Sequence, residues 1–184
     1  MKYRIKNTKT TIRIIAIYQI IGGIHGIGLI CWLLLRTGQI NGPLFFIFSL
    51  AFFLFGLSIR SGNLLLKKDS LKSGLIFSSI LQGLQIIAIG IGGYTYEFFS
   101  GAKATIGIEF TNGIGFDLNG ALSTFNFHIQ ASDPDYFIKV NVLAIIILSI
   151  LIDIYEKQYN RKEPVKEKVL SDSTLTENES KIKK

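Results

Sequence analysis

A chain of 184 residues, 48% of them hydrophobic and with a mean hydropathy of +0.39, carries more apolar side chain than a soluble fold of this size can hide. The net charge of +7 raises the possibility of a nucleic-acid partner, but the placement of the charge argues against it: the basic residues cluster beside the ends of apolar runs, where they report membrane orientation. Cys31 is the sole cysteine, which excludes an internal disulfide and a cysteine metal cluster.

Residues 1–13 form a basic segment with Lys2, Arg4, Lys6, Lys9 and Arg13. The first apolar run, 14–35, exceeds the ~7 to 15 residues of a signal-peptide core, and no small-x-small cleavage site follows it. Ile30 stands before Cys31 where a lipid-anchor motif wants a small residue, so this run reads as a retained helix. The second run, 43–59, continues past Arg60 through Leu64, Leu65 and Leu66 to Lys67, and Asp69 or Ser70 then caps the third, 75–94. The fourth, 136–154, is opened by Ser132-Asp133-Pro134 as an N-cap with proline in the first turn, and Lys139 snorkels outward from it. Each run is near the ~20 residues that cross ~30 Å of hydrocarbon.

The predicted fold is therefore mainly α and membrane-integral, a four-transmembrane-helix bundle with helices 1–3 within 14–94 and helix 4 within 134–160. Of the 20 Lys and Arg residues, all but Arg36, Lys103 and Lys139 fall on one side of such a bundle. That side is predicted to be cytoplasmic, with both termini and the 60–72 loop in it, which makes the chain a multi-pass cell-membrane protein. Trp32, Tyr94, Tyr96, Phe98 and Phe99 read as an outer interfacial belt and Tyr155 and Tyr159 as an inner one. Residues 161–184, polar and mixed in charge, read as a disordered cytoplasmic tail.

Between helices 3 and 4 the extracytoplasmic loop 95–133 alternates apolar and polar residues, with Asn112-Gly113 and Asn119-Gly120 as turn signals. It is expected to form a three-stranded antiparallel β-meander over 104–110, 114–118 and 121–130. A three-residue G1-bulge turn at Thr111-Asn112-Gly113 pairs Phe110 with Ile114, Ile108 with Phe116 and Ile106 with Leu118. A two-residue turn at Asn119-Gly120 then brings Phe125 and Phe127, with Ile129, onto the same side. The apolar face so made, Ile106, Ile108, Phe110, Ile114, Phe116, Leu118, Phe125 and Phe127, is too large to leave in water and is the predicted interaction face. Glu109, Asp117 and His128 on the other face read as solubilising residues.

Within the bilayer four polar side chains stand out: Gln19 and His25 in the first run, Gln82 and Gln85 in the third, all expected near the midplane. Gly22 with Gly26, and Ser79 with Gly83, are spaced for close helix approach. Such a cluster is either interhelical glue or, with His25 as the titrating group, a proton or substrate site. Gly26-Ile27-Gly28 and Gly90-Ile91-Gly92-Gly93 lie inside apolar runs rather than after a strand, so a nucleotide-binding reading fails on context. With no nucleophile beside a base and no metal-ligand spacing, the expected function is non-enzymatic, without cofactor or metal. The chain reads as an accessory or interaction subunit of the cell envelope that contacts membrane lipids and a protein partner or further copies of itself through the meander. The alternative is a small oligomeric transporter or channel using His25 and the glutamines.

Overall fold

Two long apolar helices form an antiparallel hairpin. Helix α1, Thr8–Arg36, is capped by Asn7, whose Oδ1 accepts from the Thr10 N–H, and it ends where the Thr37 hydroxyl turns back onto the Leu33 carbonyl. Helix α2, Gly42–Leu66, starts on Asn41, which accepts from the Leu44 N–H at 2.9 Å, with Pro43 in the first turn. At ~1.5 Å per residue the two are about 43 and 37 Å long, and among the described residues they are the helices long and apolar enough to cross a membrane. This computed structural model describes residues 7–110, 115–128 and 136–159. The expected tail at 161–184, the turn Thr111-Asn112-Gly113 with Ile114, and the cap Ser132-Asp133-Pro134 lie outside the described residues.

The third run is not one continuous helix, and the fourth is helical only from Val142 onward. A 3-10 turn at Lys68–Ser70 leads into α3, Leu71–Leu84, which at 14 residues covers about 21 Å and stops short of a bilayer. The rest of that run is strand: β1, Ile87–Ile91, in which Ile alternates with Ala and Gly, a pattern suited to a pleated strand rather than a helix. Gly92 and Gly93, with φ of 58° and 84°, form the two-residue hairpin turn into β2, Tyr94–Glu109. These glycines, read from sequence as helical, are a hairpin signal. The fourth run likewise opens as β4, Phe137–Asn141, before α4, Val142–Tyr159, whose Asp153, Glu156 and Lys157 interrupt its apolar character. Lys139 is consequently a mid-strand residue, its Nζ lying 4.7 Å from the centre of the Phe137 ring.

The predicted three-stranded meander is part of a four-stranded antiparallel sheet in the order β1-β4-β2-β3, with β3 spanning Gly115–His128. Its first pairing follows the expected register, Ile106 opposite Leu118 and Ile108 opposite Phe116. The second turn does not exist: Asn119 and Gly120 stay in the β3 ladder opposite Thr105 and Ala104. The 16-residue β2 offers partners along the whole of β3, so continuing the ladder retains backbone hydrogen bonds that a turn would break. Halfway along, the register shifts between Phe99 and Ala102, where Gly101 adopts a φ of 97°. Before this bulge β2 pairs with β1, and beyond it with β4.

Sheet and helices share one interior. Ile12, Ile15 and Ala16 of α1 pack with Leu65, Leu75, Ile147, Leu151 and Ile154 of the other three helices. At the other end of the hairpin Phe55, Phe98 and Phe125 form an aromatic triad with ring centres 5.4 to 6.5 Å apart. Phe98 and Phe99 are fully buried and so belong to the core rather than to an interfacial belt. In contrast Ile14, Ile17, Ile21 and Ile24, successive at helical spacing on α1, are 46 to 63% exposed, and Phe45, Phe46 and Phe53 on α2 are more than 60% exposed. An apolar stripe of this length suits a lipid environment rather than water.

Candidate functional site

Where the hairpin meets the sheet, a seam of buried polar groups runs through the molecule. Ser58 Oγ donates to the Gln19 carbonyl at 3.1 Å, Ser78 Oγ donates to Gln19 Oε1 at 2.9 Å, and the Ser61 and Ser78 hydroxyls lie 2.7 Å apart. The seam continues into the β2 bulge, where Ser100 Oγ donates to Ser58 Oγ and the Ser100 N–H donates to Gln85 Oε1, both at 2.8 Å. Beside it the Tyr18 hydroxyl donates to the Ala102 carbonyl at 2.6 Å. Close approach makes this possible: a Cβ on Gly22 would collide with the backbone of Ser100 and Gly101. Gly26 serves a similar end by admitting the Phe55 ring, whereas Gly83 faces open space and mediates no packing with Ser79.

Two of the four predicted midplane residues, Gln19 and Gln85, are hydrogen-bonded into this seam, and Gln82 is buried without a bond to it. Gln19, Gln82 and Gln85 are buried, and Ser78 and Gln82 share a face of α3. His25 does not join them. It is six residues beyond Gln19, about 240° round the helix, and is exposed at a small pocket of about 200 Å³ that it lines with Tyr18, Gly22, Gly101, Leu122 and Ser123. The glutamines are incompletely paired among the described residues: both amide atoms of Gln82, and Nε2 of Gln19 and of Gln85, have no hydrogen-bond partner. Each such group opposes folding unless something compensates.

Across the bulge, Lys103 Nζ and Glu97 Oε1 form an ion pair at 2.5 Å, with side chains only 7% and 12% exposed, and the ammonium lies 4.9 Å from the centre of the Phe99 ring. The register separates the polar residues of the predicted wet face, since His128 pairs at Thr95, the opposite end of β2 from Glu109. Among the described residues no cluster of three His, Cys, Asp or Glu side chains could hold a metal ion.

The predicted interaction face divides in two. On the sheet made by β1, β4, the far half of β2, and β3, one row runs Ile87, Val140, Ile106, Leu118 and the next Ile89, Ile138, Ile108, Phe116. Of these Ile87, Ile106, Ile108, Leu118 and Ile138 are exposed, by 37 to 81%, and Phe110 just beyond β2 is exposed too. Phe125 and Phe127 are excluded from that face. With no turn at Asn119-Gly120 they occupy odd positions of a continuous strand, opposite in side to Leu118, and Phe125 enters the aromatic triad.

Sequence reasoning missed Ser58, Ser61, Ser100 and Ser123 as members of the seam, and Ile87 and Ile138 as members of the face. Ser58 and Ser61 carried a usable signal, two small polar residues on one face of an apolar run. No family model, curated protein or solved structure matches this chain.

Proposed function

We propose that this is a non-enzymatic integral membrane protein of the cell envelope, an accessory subunit that holds an extended segment of a partner protein against its sheet. In this reading the α1–α2 hairpin crosses the membrane, the basic ends at Lys9, Arg13, Lys67 and Lys68 face the cytoplasm, and the sheet packs along the hairpin from its middle, where Ser123 meets Gly22, towards its outer end. The observation that carries the proposal is the exposed apolar face: four adjacent strands each contribute an exposed Ile or Leu to one side of the sheet. A protein segment suits this face better than lipid alone. Among the described strands β3 pairs only with β2, so its outer edge presents backbone N–H and C=O groups that hydrocarbon cannot satisfy and a polypeptide strand can. The first half of β3 is the accessible part, with Leu118, Gly120, Ala121 and Leu122 all exposed.

The transporter reading requires His25 to act with Gln82 and Gln85, and the exposure of His25, apart from the buried glutamines, favours the interaction reading. A photo-crosslinking residue at position 118, activated in native membranes, tests it. The expected product is an adduct with one distinct protein that disappears when Gly120→Pro, at a position whose N–H points away from β2, blocks pairing along the β3 edge. Adducts confined to lipid, or to a second copy of this chain, would overturn the proposed partner.

A further inference from the structure

At the basic end of the hairpin a pocket of about 370 Å³ opens between the start of α1 and the end of α2. Lys9, Arg13 and Lys68 stand round it, and Ile12, Leu65 and Leu71 contribute apolar walls, with Ile12 and Leu65 buried in the core behind. Lys9 and Arg13 are four residues apart on one exposed face of α1, an arrangement in which like charges repel and weaken the helix. Lys68, the first residue of the 3-10 turn, adds a third positive charge from the other side of the pocket. None of its lining residues is a carboxylate, so the three cations face one another without an acidic partner among the residues that form the site.

Directly beyond Arg13 the exposed stripe of Ile14, Ile17, Ile21 and Ile24 begins. A ligand seated here thus meets cations at one end and, along the helix, an open hydrocarbon surface at the other. We propose that this pocket binds the phosphoryl headgroup of an anionic phospholipid, with the Arg13 guanidinium and the Lys9 and Lys68 ammonium groups on the phosphate and the acyl chains along the α1 stripe. A guanidinium presents paired donors to phosphate oxygens, and basic pockets between helices at the cytoplasmic surface suit this class of ligand. Occupancy would relieve the repulsion between Lys9 and Arg13 and tie the start of α1 to the end of α2. The inference rests on the membrane reading of the hairpin.

The test uses the full chain purified in a neutral detergent, with thermal stability followed as phosphatidylglycerol, phosphatidylcholine or inorganic phosphate is added. Phosphatidylglycerol should stabilise saturably at concentrations where phosphatidylcholine does not. The Lys9→Gln/Arg13→Gln/Lys68→Gln variant should bind it at least about tenfold more weakly. Arg13→Gln alone gives an intermediate loss should the triple variant fold poorly, and Lys72→Gln, at the same end of the molecule but outside the pocket lining, should bind as the parent chain does. Equal response to both lipids, or parent-like binding by the triple variant, overturns the site. An equal effect of inorganic phosphate overturns the lipid as its source and leaves a free-anion site. A chain that stays monodisperse without detergent would instead refute the membrane reading itself, whatever the lipids do.

Discussion

Ser123 Oγ donates to the carbonyl of Gly22 at 2.9 Å and accepts from the Gly101 N–H at 3.0 Å, joining α1 to both strands at the β2 bulge. Ser123 is held in the left-handed region, with φ of 32°, to do so. Ser123→Ala should cost about 1–3 kcal/mol by leaving the Gly101 N–H buried and unpaired. Ser123→Gly should cost less, since it relieves the backbone. Gly22→Ala should destabilise by about 1–3 kcal/mol because the added methyl meets the Gly101 backbone, while Gly28→Ala, facing open space, should stabilise by up to about 1 kcal/mol. Thermal unfolding in detergent orders the four variants.

The seam's glutamines should differ sharply in their response to substitution. Gln19→Leu removes the acceptor of the Ser78 hydroxyl and should destabilise by about 1–3 kcal/mol. Gln82→Leu removes a buried amide that has no partner among the described residues, and should be neutral or stabilising. A destabilising Gln82→Leu would show that its amide is engaged by a group outside this set.

The Glu97–Lys103 pair, almost wholly buried, should be non-additive. Lys103→Met or Glu97→Leu alone strands a charge and should cost about 3–5 kcal/mol, while the double substitution should recover most of that loss. Additive costs would show that the two side chains do not depend on one another.

His25→Gln separates the interaction and transport readings. An exposed His25, apart from the buried glutamines, should be replaceable with little change in stability or in the native phenotype. A folded variant without pH-driven flux in vesicles, where the parent chain has flux, would reverse the preference.

Hydropathy located the hairpin correctly because α1 and α2 are uniformly apolar over their length, and the parity of apolar residues placed Ile106 opposite Leu118. In the third and fourth runs it placed helix where the chain forms strand, because it does not distinguish a helix from an apolar strand: Ile87–Ile91 is as apolar as the helix before it, and only its Ile alternation and the Gly92-Gly93 turn marked the change. Asn119-Gly120 misled in the opposite direction, a local turn preference overridden by the long ladder with β2. Gln19 and Gln85 were legible as buried partners, being polar groups inside apolar runs. Their actual contacts were not, because Ser100 reaches Gln85 directly, and Gln19 by way of Ser58, only through a bulge that no local motif announces.

The central claim, a hairpin that crosses the membrane with its α1–α2 connection outside and its basic ends inside, is tested most directly by single cysteines in a Cys31→Ser background. Gly38→Cys in the α1–α2 connection and Asp69→Cys beyond α2 are both at exposed positions. An impermeant maleimide applied to intact cells should label position 38, and position 69 only after permeabilisation. Labelling of position 69 on intact cells with protection of 38 would contradict the orientation, and equal labelling of both would contradict the spanning hairpin itself.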